Sequence, residues 1–120
     1  MRLLLYDAKF FYHQCYYEDL AKKGVELKRL FAPSEVDKVN LSEFRGMIAH
    51  PGMQNQRDFF ERISKYPNLK VAIVSNEPGV YDTDSLDFSV FNIEHIDRIY
   101  QYFNNNSHSP IERVKIPKTF

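Results

Sequence analysis

The chain has 120 residues, of which 43% are hydrophobic and 15% aromatic, a composition typical of one folded domain rather than of a disordered segment. Sixteen basic side chains balance sixteen acidic ones and the sequence pI is near 6.9, so bulk charge gives no support to binding of nucleic acid or of an anionic membrane. A single cysteine, Cys15, and the lack of any apolar run near the roughly 18 residues that span a membrane predict a cytoplasmic protein.

Hydrophobic periodicity predicts strands and helices that alternate along the chain. Continuous apolar runs such as Leu3 to Tyr6 are typical of strands buried on both faces of a sheet. The spacing of Ile96, Ile99 and Phe103 is typical of an amphipathic helix. In chain order the sequence predicts strands at 3–6, 25–31, 46–49, 70–75 and 88–91, and helices at 9–23, 35–40, 55–65 and from 96 onward.

This order of elements predicts an α/β domain with a parallel sheet and helices on both of its faces. The domain is predicted to occupy residues 1–104. Residues 105–120 are predicted to form a C-terminal tail, which is either an extra strand or a docking arm. Residues 76–87 contain Pro78-Gly79 and three aspartates, which is typical of a loop.

Polar residues at the predicted strand ends are the candidates for a functional site, because ligands gather at the carboxyl edge of an open α/β sheet. They are Asp7, His50, Ser75 and Glu77. Asp7 is either a metal ligand or an Asx turn that starts the following helix. His50 is either a ligand, base or phosphoacceptor, or a hydrogen-bonded structural residue. Asp7, His50 and Glu77 together would suit a transition metal, but they lie far apart in sequence and form no specific metal motif.

More specific chemical motifs are not found. The turn after the first strand is not a glycine-rich phosphate loop, and Ser75 lies in no Gly-x-Ser-x-Gly elbow. The acidic run at 82–87 lacks the glycine and glutamate that an EF-hand loop needs. We therefore predict no catalytic residue, no metal and no cofactor.

The first helix carries more aromatic residues than one face can bury. Tyr12, Tyr16 and Leu20 fall on one stripe, and Cys15 beside it is predicted to be an inert core thiol. Some of the remaining rings should reach the surface, where tyrosine is common at protein interfaces, unless a wide face is buried between the sheet and the tail. The predicted interaction surface comprises Phe10, Tyr12, Tyr17 and Tyr102.

Over residues 1 to about 104, the order of elements and the strand-end residues resemble the receiver domain of two-component response regulators. The resemblance implies a flavodoxin-like fold, a three-layer sandwich with a five-stranded parallel sheet of order 2-1-3-4-5. Receiver domains carry an acidic pair, a phosphorylated aspartate, a Ser or Thr and a Lys after strands one, three, four and five. Asp7 and Ser75 match this pattern, although Asp7 has no second acid beside it. His50 stands in place of the aspartate, and Asn92 is nearest to the expected lysine.

This departure from the pattern implies a degenerate receiver. The predicted function is a non-catalytic regulatory module that acts through contacts with a protein partner, without aspartyl phosphorylation. Pairing of receiver-like folds through the last helix and its neighbouring strand implies a homodimer. The alternative is a small flavodoxin-like enzyme or ligand-binding protein that uses Asp7, His50 and Glu77. A third hypothesis makes His50 a relay histidine that accepts a phosphoryl group.

Overall fold

The computed structural model describes residues 1–75 and 89–104, leaving out the side chains of residues 53–55. The predicted loop at 76–87 and the predicted tail at 105–120 lie outside the described residues. No helix within the described ranges is long and apolar enough to cross a membrane. The elements are β1 (Arg2–Asp7), α1 (Phe10–Lys22), β2 (Glu26–Leu30), two 3₁₀ helices (Pro33–Lys38 and Leu41–Glu43), β3 (Gly46–His50), α2 (Gly52–Ile63), β4 (Val71–Ser75), β5 (Ser89–Asn92) and α3 (Ile96–Asn104).

Every pair of neighbouring strands is parallel, and the sheet has the order β2-β1-β3-β4-β5. This confirms the predicted α/β sandwich with a five-stranded parallel sheet of order 2-1-3-4-5. Because all strands run in the same direction, their carboxyl ends meet at one edge. At that edge the last β1–β3 pair joins Asp7 and His50, and the last β4–β5 pair joins Ser75 and Asn92.

Successive side chains of a strand point to opposite faces of the sheet, and this alternation divides the core in two. Leu4 and Tyr6 belong to the cluster that packs against α2, where Phe59 stacks on Tyr6 with ring centroids 5.5 Å apart. Leu3 and Leu5 belong to the opposite cluster, which packs against α1 and α3. Each fully buried side chain of this kind contributes about 1.5–3 kcal/mol, so both faces of the sheet drive folding.

Helix α1 buries a different stripe from the predicted one. It packs His13, Tyr17 and Leu20 against the sheet and leaves Tyr12 79% exposed. The predicted stripe followed apolar spacing alone, whereas His13 and Tyr17 are buried because they reach a polar partner on β1. Cys15, two residues after His13, is exposed, so the prediction of a core thiol is wrong.

Helix α1 ends at a left-handed glycine, as the sequence predicts. Gly24 has φ of 91°, and its N–H donates to the Ala21 carbonyl at 3.0 Å. The Val25 N–H donates to the Leu20 carbonyl at 3.3 Å, which satisfies a second carbonyl of the last turn. This turn directs the chain into β2.

Two other helix starts differ from the prediction. The short helix predicted at 35–40 is a 3₁₀ helix that begins earlier, at Pro33, and the Glu35 carboxylate accepts the backbone N–H groups of Phe31 and Ala32 just ahead of it. Helix α2 begins at Gly52, directly after Pro51, and Gly52 turns the chain into the helix with φ of 70°, a conformation that glycine adopts without strain.

Candidate functional site

The Asp7 carboxylate is the centre of a buried hydrogen-bonded network at the carboxyl edge of the sheet. Alternation from Leu3 and Leu5 places Asp7 on the α1 face. Its Oδ1 accepts the Lys9 backbone N–H at 2.7 Å, which is the Asx turn that the sequence offered as one alternative. Its Oδ2 accepts His13 Nδ1–H at 2.6 Å and also the hydroxyl of Tyr17.

Burial of this network keeps the Tyr17 hydroxyl protonated, so that it donates a hydrogen bond to Asp7. Removal from water, the negative charge of Asp7 and the hydrogen bond to Asp7 together raise the pKa of Tyr17 well above its ordinary value of 10.0. The phenol therefore stays protonated across the physiological range. The buried carboxylate of Asp7 accepts hydrogen bonds from three donors within the domain, which offset the cost of its burial.

His50 extends this network across the sheet. It is the register partner of Asp7 and lies on the α1 face with Ile48. A carbonyl oxygen can only accept, so His50 Nδ1 carries a proton and donates it to the Val74 carbonyl at 2.8 Å. The ring is half-buried and lies perpendicular to the His13 ring, with centroids 5.1 Å apart.

Two imidazoles therefore stand together with their Nδ1 atoms held by oxygen acceptors. Such anchoring orients a histidine for ligation or proton transfer through Nε2. However, no group of three or more His, Cys, Asp or Glu side chains in the described part of the chain is arranged to hold a metal ion. Asp7 directs its oxygens to internal donors, and Glu77 lies outside the described residues.

Ser75 ends β4 at the same edge of the sheet but on the other face. It is buried, and alternation groups it with Val71 and Ile73, which pack in the α2-side cluster. Its register partner Asn92 accepts the Glu94 backbone N–H through Oδ1 at 3.0 Å. The residue nearest to the lysine position of receivers is thus an amide that shapes the turn before α3.

The predicted aromatic surface is only partly exposed. Tyr17 is 3% exposed, so its placement on an interaction surface is wrong, because its hydroxyl is drawn inward by Asp7. Phe10 is half-buried and stacks on Tyr17 at 5.8 Å. Tyr102 is half-buried against Phe91, with ring centroids 5.2 Å apart. Tyr12 is the member of the set that is fully open to solvent.

His13 is the site residue that sequence reasoning missed. Hydrophobic periodicity does not mark a histidine in the first turns of an aromatic-rich helix as buried. Its position four residues before Tyr17, on the same helix face, together with an acid at the end of β1, was the available signal.

The sheet order, the parallel strands and the helices on both faces define a flavodoxin-like, receiver-like fold. No family model and no curated protein matches the chain. Among solved structures, the protein is similar to a chain in the crystal structure of the histidine kinase ThkA in complex with the response regulator protein TrrA. The TM-score is 0.57 and the identity 16%, over 87% of this chain and 98% of that chain. At this identity the likeness establishes the fold alone.

Proposed function

We propose that this protein is a receiver-like regulatory module that acts through protein–protein contacts and is not phosphorylated on aspartate. The observation that carries the proposal is the identity of the residue that ends β3. Where the resemblance to receivers expects the phosphorylated aspartate, His50 donates from Nδ1 to the Val74 carbonyl. An imidazole in this position cannot form an aspartyl phosphate.

The state of Asp7 supports the same proposal. In receivers the acids after strand one hold Mg²⁺, which requires carboxylate oxygens directed at the ion. Here the carboxylate is buried and accepts hydrogen bonds from Lys9, His13 and Tyr17. Mg²⁺ would have to compete with these three donors for the two oxygens of a buried carboxylate.

The test is incubation with acetyl phosphate and Mg²⁺, followed by intact-mass spectrometry, with a phosphorylatable response regulator in the same mixture as the positive control. We expect the mass of the wild-type chain to stay unchanged while the control gains a phosphoryl group. A stoichiometric acid-stable or acid-labile adduct on the wild type would contradict the proposal. An adduct that disappears in His50→Ala would assign His50 the role of a relay histidine.

The paired imidazoles favour one second candidate, a ligand-binding protein or enzyme that works at the carboxyl edge. The ring centroids of His13 and His50 lie 5.1 Å apart and both Nδ1 atoms are hydrogen-bonded, so a transition metal such as Zn²⁺ would have to be bound through Nε2. Calorimetric titration with Zn²⁺, Mn²⁺ and Mg²⁺ distinguishes the two candidates. Binding that His50→Ala abolishes supports the second candidate, whereas absent binding, or binding unchanged in His50→Ala, supports the regulatory module.

The proposal includes a cytoplasmic location and self-association through α3 and the neighbouring strand β5. An exposed thiol at Cys15 suits a reducing compartment. Cell fractionation tests the location, and sedimentation velocity over a range of concentrations tests the dimer. A purely monomeric profile would remove self-association from the proposal.

A further inference from the structure

The most exposed aromatic side chains of the described residues surround one arginine. Phe11, Tyr12 and Phe31 are 81%, 79% and 71% exposed, and they are the large hydrophobic residues of this part of the chain that face solvent. Phe11 and Phe31 flank the guanidinium of Arg29, and Tyr12 follows Phe11 on α1. We call the surface formed by Phe10, Phe11, Tyr12, Arg29 and Phe31 the Arg29 patch.

Four of the five patch residues lie on regular structure, three on α1 and Arg29 on β2, and Phe31 follows directly after the end of β2. Arg29 lies on β2 in register with Leu5, so its side chain is on the α1 face of the sheet. The guanidinium carbon lies 3.9 Å from the ring centroid of Phe10, 4.6 Å from that of Phe31 and 5.7 Å from that of Phe11. Aromatic faces attract a cation at these distances.

The buried Asp7 network lies beneath the Arg29 patch and holds Phe10 in position. Phe10 stacks on Tyr17 with centroids 5.8 Å apart, and Tyr17 is fixed by its hydrogen bond to Asp7. The position of the Arg29 guanidinium is therefore set before any partner binds. Preorganisation of this kind lowers the conformational entropy that the patch itself loses when a partner binds.

The charge of Arg29 is not neutralised within the described residues. No acidic side chain of residues 1–75 and 89–104 forms an ion pair with it. Its Nε is buried without a hydrogen-bond acceptor from that part of the chain. The two terminal Nη groups have no acceptor from that part of the chain either, and it is these donors that match the two oxygens of a carboxylate.

We propose that the Arg29 patch docks a protein partner that presents an aspartate or glutamate beside apolar side chains. The inference rests on the proposed regulatory function and names the surface and the chemistry of its partner. The carboxylate would neutralise Arg29, and the apolar side chains would cover Phe11, Tyr12 and Phe31. Aromatic residues around an arginine are the composition of interface hot spots. A chain of formal net charge zero gives a polyanion no comparable attraction.

The test uses a display library of helical peptides with randomised surface positions, selected on the full chain and counter-selected on Arg29→Gln. Peptides that emerge should carry an acidic residue next to apolar ones. A synthetic peptide from the selection should bind about tenfold more weakly to Arg29→Gln and to Phe31→Ser, as should its own Glu-to-Gln version on the wild type. Arg57→Gln, an exposed arginine on α2, is the matched control and should bind as the wild type does.

Circular dichroism of each variant shows that it is folded, since all the altered side chains are at least partly exposed. The proposal is overturned if the selected peptides lack acidic residues, bind Arg29→Gln equally well, or fail to emerge at all. If the wild type forms a dimer that dissociates in Arg29→Gln, a second copy of this chain occupies the patch. That result would overturn the proposal that a different protein docks there. A phosphoryl adduct on the wild type would contradict the proposed function and leave the binding result intact.

Discussion

At the scale of single residues, Asp7 determines how the carboxyl edge of the sheet is organised. A buried carboxylate is costly unless it is hydrogen-bonded, and here a turn amide, an imidazole and a phenol all donate to it. The arrangement links β1 to α1 through two side chains of the helix. Sequence reasoning located Asp7 and His50 because each ends an apolar run. It missed His13 because a polar residue becomes part of a core only through a partner distant along the chain.

The hydroxyl of Tyr17 is expected to be a measurable part of this network. Tyr17→Phe removes one donor from a buried carboxylate and should lower the free energy of unfolding by about 1.5–3 kcal/mol. Tyr12→Phe removes the same atom from an exposed ring and should have little effect. Urea unfolding of both variants measures the difference, and equal stabilities would contradict the network.

The raised pKa of Tyr17 predicts that the free energy of unfolding falls at alkaline pH. Its pKa in the folded chain is raised above the ordinary value of 10.0, so above that pH the unfolded chain releases a proton that the folded chain retains. The stabilisation that Tyr17 contributes to the folded chain is fully present below pH 10 and is lost as the pH rises further. Unfolding free energies measured across this range should fall more steeply in the wild type than in Tyr17→Phe. Parallel curves would show that Tyr17 titrates normally.

At the scale of elements, periodicity predicted where strands and helices lie better than which helix face is buried. Continuous apolar runs marked strands such as β1 and β4, because a strand buried on both faces needs apolar residues at every position. The edge strand β2 alternates charged and apolar residues and was located by its position between two turn signals. The face of α1 depends on contacts with β1, so apolar spacing misplaced it by one position, from Tyr12 and Tyr16 to His13 and Tyr17.

The contact between β3 and α3 depends on the absence of a side chain at Gly46. A Cβ at this position would overlap the Lys70 carbonyl oxygen and the ring of Phe103. Gly46→Ala should cost about 3 kcal/mol, at the upper end of overpacking costs, because backbone atoms cannot move aside. Gly24→Ala meets no neighbouring atom but requires a left-handed residue, and should cost about 1 kcal/mol. Thermal and urea unfolding rank the two variants, and the reverse order would contradict this packing.

At the scale of the whole molecule, the order of elements predicted a parallel sheet with helices on both faces. Strand order does not follow from periodicity, because several crossovers satisfy the same pattern, and here it came from the resemblance to receivers. The function of the carboxyl edge of the sheet is even harder to predict from the sequence. It depends on which side chains face one another, and Ser75 lies at the predicted edge but on the opposite face from His50.

Residues 1–104 are proposed to be a complete folding unit. The five-stranded sheet and the helices α1, α2 and α3, which pack on its two faces, lie within this range. A chain ending at Asn104 should therefore unfold cooperatively, with a free energy close to that of the full chain. Circular dichroism during urea unfolding tests this expectation. Loss of the cooperative transition would assign residues 105–120 a part in the fold.

The position of β2 at the outer edge of the sheet has a consequence for assembly. Its five residues include the exposed charges of Glu26 and Lys28, and β5 at the opposite edge is four residues long. Short edges and charged edge residues discourage a further strand from pairing with the backbone. In the proposed docking, the partner meets the side chains beside β2 and not its hydrogen-bonding edge. The charged, short edges let the domain expose aromatic rings there without pairing of further strands into an extended β-aggregate.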